Sequence, residues 1–329
     1  MNKQDRFERD LLKARSFMNE RRFREAHELL HPWLGSFPES PDLLLGLGIA
    51  SGEVGATAEA KALLERCHKL RPDWAEPLVH LGIARFQSGD HEGAMAAWAQ
   101  AEQRGSRNPD LHYHLGIAFS GQGWWDKALA AFDTAIACHP GHFPARLNRA
   151  WVLAQGARFA EARQALEELL EEIGDQADLL RTLAMVATEQ EDFAAAATAL
   201  DRLLKLDPDR LDAWSNRAYI ALKMDQPQVA LPAIERVLAR LPQDPAALIN
   251  RACWERDYGD AAKVAAILDP LLGQQLPPYV VAAVSALLGN ETQLRAALEA
   301  AQHEGGEAVL RAVKRDLPFK GWLARLGLL

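Results

Sequence analysis

Cysteine is scarce in this chain. Cys67, Cys138 and Cys253 stand far apart in 329 residues, and an odd, dispersed set excludes a disulfide framework. Such usage is that of a reduced, cytoplasmic protein whose thiols are packing residues. Long apolar runs are equally absent. The longest, Tyr279 to Leu288, falls well short of the roughly 20 residues a helix needs to cross a bilayer, so no membrane insertion is expected. The opening stretch, Met1 to Arg15, is charged throughout and carries no secretory apolar core. An excess of positive charge is missing as well: 37 Lys and Arg face 45 Asp and Glu, a net charge of −8. The arginine-rich start (Arg6, Arg9, Arg15, Arg21, Arg22, Arg24) is largely cancelled by Asp5, Glu8, Asp10, Glu20, Glu25 and Glu28, so no nucleic-acid partner is expected.

The motifs of catalysis are missing too. There is no P-loop, H-E-x-x-H, C-x-x-C or G-x-S-x-G. His91-Glu92 runs on to Met95 and His303-Glu304 to Glu307, so neither supplies the paired histidine that zinc needs. The densest histidine group is His112, His114, His139 and His142. Two apart on a helix, His112 and His114 point in different directions, so ordinary polar and packing roles are expected and no metal. Gly46-Leu47-Gly48-Ile49-Ala50-Ser51-Gly52 misses the G-x-G-x-x-G spacing and follows no strand. No cofactor is expected. No stretch is left over for a catalytic domain, and the chain is read as not an enzyme.

What the chain does contain is a period. From Pro109 to His142, thirty-four residues form one complete unit. Asn108 is placed to cap a helix that Pro109 opens, and Leu115, Gly116 and Phe119 follow at helical spacing. Gly121 and Gly123 break that helix, a second carries Ala128, Phe132 and Ala135 on one face, and Pro140-Gly141 closes the unit. At the same interval Gly116 is joined by Ala14, Gly48, Gly82, Ala150, Ala184, Ala218, Ala252 and Ala286. A second small column runs Ala26, Ala60, Ala94, Ala128, Ala162, Ala196 and Ala230, with Val264 the first exception. Twelve residues after each come Pro38, Pro72, Ser106, Pro140, Gly174, Pro208, Pro242 and Leu276. Small residues let two helices approach closely, and larger ones such as Leu47, Leu81, Leu64, Trp98 and Phe132 fill the seam. One hairpin cannot bury such a face alone, so neighbours must stack.

These columns resemble the tetratricopeptide repeat, whose pattern is W-x2-L-G-x2-Y…A-x3-F…P. They match as Leu44, Leu47, Gly48, Ala60, Leu64 and Pro72, and best as Leu115, Gly116, Phe119, Ala128, Phe132 and Pro140. The resemblance covers roughly residues 7 to 304 and implies an all-α, right-handed superhelical solenoid of about nine stacked helix-turn-helix repeats. Their starts fall at residues 7, 41, 75, 109, 143, 177, 211, 245 and 279, with residues 305–329 expected as a capping helix and tail. The stretch Glu307 to Asp316 reads as that helix. The tail Arg315-Asp316-Leu317-Pro318-Phe319…Trp322-Leu323 resembles endings of bacterial repeat proteins, and the Ala- and Arg-rich composition points the same way.

The resemblance places function on the concave face, which the first helices line. Two residues before the small column the chain reads Gly46, His80, His114, Asn148, Thr182, Asn216 and Asn250. An asparagine amide both donates and accepts, which suits the backbone of a bound peptide. The residue after the column reads Arg15, Ile49, Ile83, Ile117, Trp151, Met185, Tyr219 and Cys253, and Tyr113 and Phe86 extend the apolar surface. Leu11, Leu45 and Val79 stand where a carboxylate clamp would need cations, so an acidic chaperone tail is not the expected ligand. Between Glu161 and Asp192 ten acids and two arginines leave a net of −8, a solvated face or a docking site for a basic partner. The expected function is a protein-interaction scaffold that binds a partner peptide or helix in the groove. Two other readings stand beside it: a regulatory or substrate-adaptor subunit of a separately encoded enzyme acting on polypeptides or glycans, and a self-associating scaffold. Gly116→Leu should overpack the seam and cost about 1–3 kcal/mol, read as a lowered urea midpoint at unchanged slope.

Overall fold

The structure, a computed structural model, describes residues 2–327. Met1 and the last two residues of the expected tail lie outside the described residues. Among the described residues there are eighteen α-helices and no strand. In chain order the first ten are α1 (Lys3–Asn19), α2 (Phe23–Leu30), α3 (Pro41–Glu53), α4 (Thr57–Leu70), α5 (Glu76–Gln87), α6 (His91–Gln103), α7 (Pro109–Gly121), α8 (Trp125–Cys138), α9 (Phe143–Gln155) and α10 (Phe159–Ile173). The remainder are α11 (Ala177–Glu189), α12 (Phe193–Leu206), α13 (Leu211–Lys223), α14 (Pro227–Arg240), α15 (Pro245–Tyr258), α16 (Val264–Leu268), α17 (Pro278–Leu287) and α18 (Glu291–Arg315). The chain divides into two compact units that meet in sequence at Ala165 and Leu166, within α10.

The hairpin turns explain why the period never slips. The first seven first helices, α1 to α13, end on a residue with left-handed backbone: Arg21, Gly55, Gly89, Gly123, Ala157, Glu191 and Asp225, thirty-four apart, with φ between 57° and 87°. At Gly55 the amide donates to the Gly52 carbonyl and the next amide, of Ala56, reaches back to Ser51 at 2.8 Å. That pair of bonds is the Schellman closure, and it feeds the second helix directly. Second helices end by a different device. Proline disfavours helical backbone in the residue before it, and Arg71, His139, Asp207 and Leu241, each preceding a column proline, all leave the helical region. Where Ser106 replaces proline, Gly105 at φ 73° makes the turn instead. Ser40, Asn108 and Asp244 cap the next first helices by accepting backbone N–H bonds, and Pro41, Pro109 and Pro245 open them.

In the first unit, first helices pack on second helices within and between repeats, and also on each other, α1 on α3, α3 on α5, α5 on α7 and α7 on α9. The seam is as tight as the small column demands. A Cβ at Gly116 would stand 2.5 Å from the Phe132 ring, and one at Gly82 would fall on the Trp98 indole. Trp98 is fully buried, and its Nε1 donates to the Val79 carbonyl at 3.1 Å. The second unit is built likewise, with α13 on α14, α14 on α15 and α15 on α17.

Two departures mark its end. At Gly259 the left-handed turn is lost (φ −118°, ψ −130°), and α16 shrinks to five residues between short 3-10 turns. Pro270 stops further extension. At Gly306, φ 54° and ψ −136° break α18, so the stretch expected to open a helix at Glu307 does so after a sharp redirection. Cys67 and Cys253 are buried, and burial pushes their thiols up, to about 11 and about 12. Cys138 is exposed, so packing accounts for two of the three cysteines and not for all.

Left-handed backbone strains every residue with a Cβ. Ala157→Gly should therefore stabilise the protein by about 1 kcal/mol, measured as a raised midpoint in urea, because the turn geometry stays and the strain goes.

Candidate functional site

The first helices carry the residues expected to bind, and each unit has its own set. In the first unit α5 carries His80, Ile83 and Phe86, α7 carries Tyr113, His114 and Ile117, and α9 carries Asn148 and Trp151. All eight are half-buried, neither core nor free surface. His80 and Ile83 line a depression with Gly48, Ile49 and Gln87, about 20 Å³ in volume and so of a size for a single water-sized group. Phe86 is drawn into the seam instead, edge-on to His91 at 4.9 Å and 5.8 Å from Trp98. Trp151 meets Trp125 edge to face at 6.0 Å. Tyr113 is ringed by His114 at 5.0 Å, His142 at 5.1 Å and Phe132 at 6.1 Å. The Asn148 amide donates to the Pro144 carbonyl one turn back, at 2.9 Å.

A polar ladder beneath this row escaped the reading of single columns. Asn108 caps α7 with its Oδ1, bonded to the Asp110 amide at 2.8 Å, and its Nδ2 donates to Glu76 at 2.7 Å. One repeat later His142 does the same work. Its Nδ1 accepts from the Ala145 amide at 3.1 Å, which leaves Nε2 as the protonated nitrogen facing Asp110 at 3.2 Å. Glu76 and Asp110 are thirty-four apart, as are Asn108 and His142; reading the cap and acid columns together would have found the pairing. The contact with His80 holds the Glu76 carboxyl below its usual range, and His142 does so for Asp110.

His114 sits among these groups in a different state. Its ring stacks on Trp98 at 6.1 Å, and its Nδ1 is buried with no hydrogen-bond partner. Burial drives its pKa down to about 4, against the attraction of Asp110. The imidazole is therefore neutral at neutral pH.

The second unit treats its expected residues unequally. Asn216 on α13 is exposed. Asn250 on α15 is only 7% exposed, and its amide donates to the Ser215 carbonyl at 3.1 Å, tying α15 to α13. The Tyr219 hydroxyl donates to Asp316 at 2.9 Å. Elsewhere, Glu167, Glu168, Glu171 and Glu172 of the acidic stretch are exposed on α10, and Gly46 to Gly52 lies inside α3. Among the described residues no three His, Cys, Asp or Glu side chains cluster as metal ligands, and no helix is long and apolar enough to cross a membrane.

Helix pairs recurring every thirty-four residues, seven of them closed by the same left-handed turn, define an all-α repeat protein. Sequence profiles of the tetratricopeptide repeat match residues 11–67 and 79–141, residues 120–186 and residues 183–253. The chain belongs to the tetratricopeptide repeat family. Repeats of this family are generally protein-interaction scaffolds and are typically not catalytic. A comparison with curated proteins finds no matching sequence. Among solved structures, PilF of Pseudomonas aeruginosa superposes with a TM-score of 0.58 at 17% identity, over 66% of this chain and 99% of its own. A chain of the APC/C hetero-tetramer Cut9–Hcn1 gives 0.58 at 17%, over 72% of this chain and 47% of its own. A tetratricopeptide repeat protein from Parabacteroides merdae gives 0.55 at 15%, over 78% and 98%. At such identities the likeness is one of fold.

The depressed pKa of His114 makes stability depend on pH. The unfolded chain takes up the proton near pH 6.5 and the folded chain only near pH 4, so stability is full above 6.5 and is lost as pH falls towards 4. Between pH 7 and pH 5 the wild type should lose on the order of 2 kcal/mol more than His114→Gln, measured by urea unfolding at each pH.

Proposed function

We propose that this chain is a non-catalytic, cytoplasmic scaffold that holds an extended or helical segment of a partner protein on the first-helix face of its first unit. The observation that carries the reading is the half-burial of the whole row His80, Ile83, Tyr113, His114, Ile117, Asn148 and Trp151. Side chains of that composition, left partly open beside a fully packed seam, are those that anchor interfaces when desolvated. Ile83, Ile117, Tyr113 and Trp151 supply the apolar anchors. Asn148 supplies an amide able to donate to and accept from a peptide backbone. Asn216 continues the same register in the second unit.

The adaptor reading has one point in its favour: a structural neighbour is a subunit held in a hetero-tetramer. It differs from the scaffold in stoichiometry, one enzyme held tightly against several weaker clients.

The test is capture from a lysate of the source organism with wild type and with a Tyr113→Ala/Asn148→Ala/Trp151→Ala variant, after circular dichroism shows equal helix content. Loss of specific partners by the variant is the expected result. Retention of the same partners would sink the proposal and point to the exposed glutamates of α10. Capture of nothing but the chain itself would favour self-association.

A further inference from the structure

The last turns of the chain lie on the first-helix face of the second unit. After the break at Gly306, the helix that ends at Arg315 delivers a short segment that four successive first helices hold. Arg315 pairs with Glu189 of α11 at 2.5 Å, and its carbonyl accepts from Lys223 Nζ of α13 at 2.6 Å. The two carboxylate oxygens of Asp316 accept from Tyr219 of α13 at 2.9 Å and from Tyr279 of α17 at 2.6 Å. The Leu317 carbonyl accepts from Arg256 of α15 at 3.2 Å. Leu317 is buried in one apolar cluster with Leu222 and Cys253, against which Tyr219 and Trp254 pack, and Phe319 is buried beside the Tyr279 ring at 5.6 Å.

A terminal cap has no need to reach so far. In a repeat stack each hairpin touches only its neighbours, so a lid over α17 and α18 would stop at α15. This segment runs on to α11. The manner of holding is also that of a bound peptide: side-chain donors read two backbone carbonyls and one carboxylate, and an apolar side chain fills the space beside them. Burial, with the Asp316 charge behind it, pushes the phenols of Tyr219 and Tyr279 up, so both remain donors at neutral pH.

We propose that the first-helix face of the second unit is a recognition site for a peptide bearing a carboxylate followed by an apolar residue, a proline and an aromatic ring, and that the chain fills it with its own residues 315–319. An external peptide of that chemistry enters by displacing them. The proposal rests on the reading of the first-helix face as the peptide-binding surface. Its test lies wholly in the second unit, so its failure leaves capture by the first unit untouched.

A fluorescein-labelled synthetic peptide of residues 313–323 is titrated by anisotropy against the full-length chain and against full-length Asp316→Ala/Leu317→Ser. Competition in cis lowers apparent affinity by the fraction of open sites, so the variant should bind at least about tenfold more tightly than wild type. Adding Tyr219→Phe and Tyr279→Phe should abolish the gain, as should replacing the peptide's aspartate by asparagine. Equal binding by wild type and a variant of unchanged helix content would overturn the proposal. Hydrogen exchange on the wild type needs no variant. Amides of residues 316–322 should exchange faster than those of α13 and α15, whereas exchange in step with α15 makes the segment part of the unit's structure and overturns it. A concentration-dependent dimer that the free peptide dissolves would assign the site to a second copy's tail, which also overturns the arrangement in cis.

Discussion

The approach of a first helix to its second, over a residue with no room for a larger side chain, governs everything else in this molecule. At Gly116 the Phe132 ring lies where a Cβ would stand, and at Gly48 and Gly82 the side chains of Leu64 and Trp98 do the same. Such contact gives many weak dispersion contacts at optimal distance and leaves no space for water. It also fixes rotation. Once the small column faces the seam, the residues one after and two before it must turn to the open side of the layer. That is why the candidate binding row and the packing row share one period.

Turn geometry supplies the second constraint. A helix closed by a left-handed residue and a reaching-back amide restarts in a set direction, and the protein accepts the strain at Arg21, Ala157, Glu191 and Asp225 to keep it. Where the geometry is abandoned, at Gly259, the following helix is short and the regular pattern ends. The polar groups near the turns are used with equal thrift. Asn108 and His142 each satisfy a helix N-terminus with one atom and a neighbouring carboxylate with another. Partly buried polar groups are thereby paired between repeats, and the stack is joined by directional bonds as well as by apolar area.

The candidate binding row was legible in part. His80, Ile83, Tyr113, His114, Ile117, Asn148 and Trp151 share a face because helical periodicity puts them there, and periodicity is written in the chain. Phe86 stands outside that register, four residues after Gly82, and this spacing turns it towards the seam, where it packs on Trp98 and His91. Asn250 likewise turns inward to Ser215. The turn of Asn250 is not visible in spacing alone, since it depends on the neighbouring helix offering an acceptor.

Local chemistry thus determined the architecture. The small columns, the glycines and prolines at the turns and the capping residues each act within one repeat or between adjacent ones, so a single sequence period is enough to state them. What only the tertiary structure decided is the fate of groups brought together across long stretches of chain. Tyr219 and Asp316 are ninety-seven residues apart, and no periodicity relates them. Their meeting depends on the redirection at Gly306 and on the donors that four helices present side by side, quantities that exist only once the repeats have stacked.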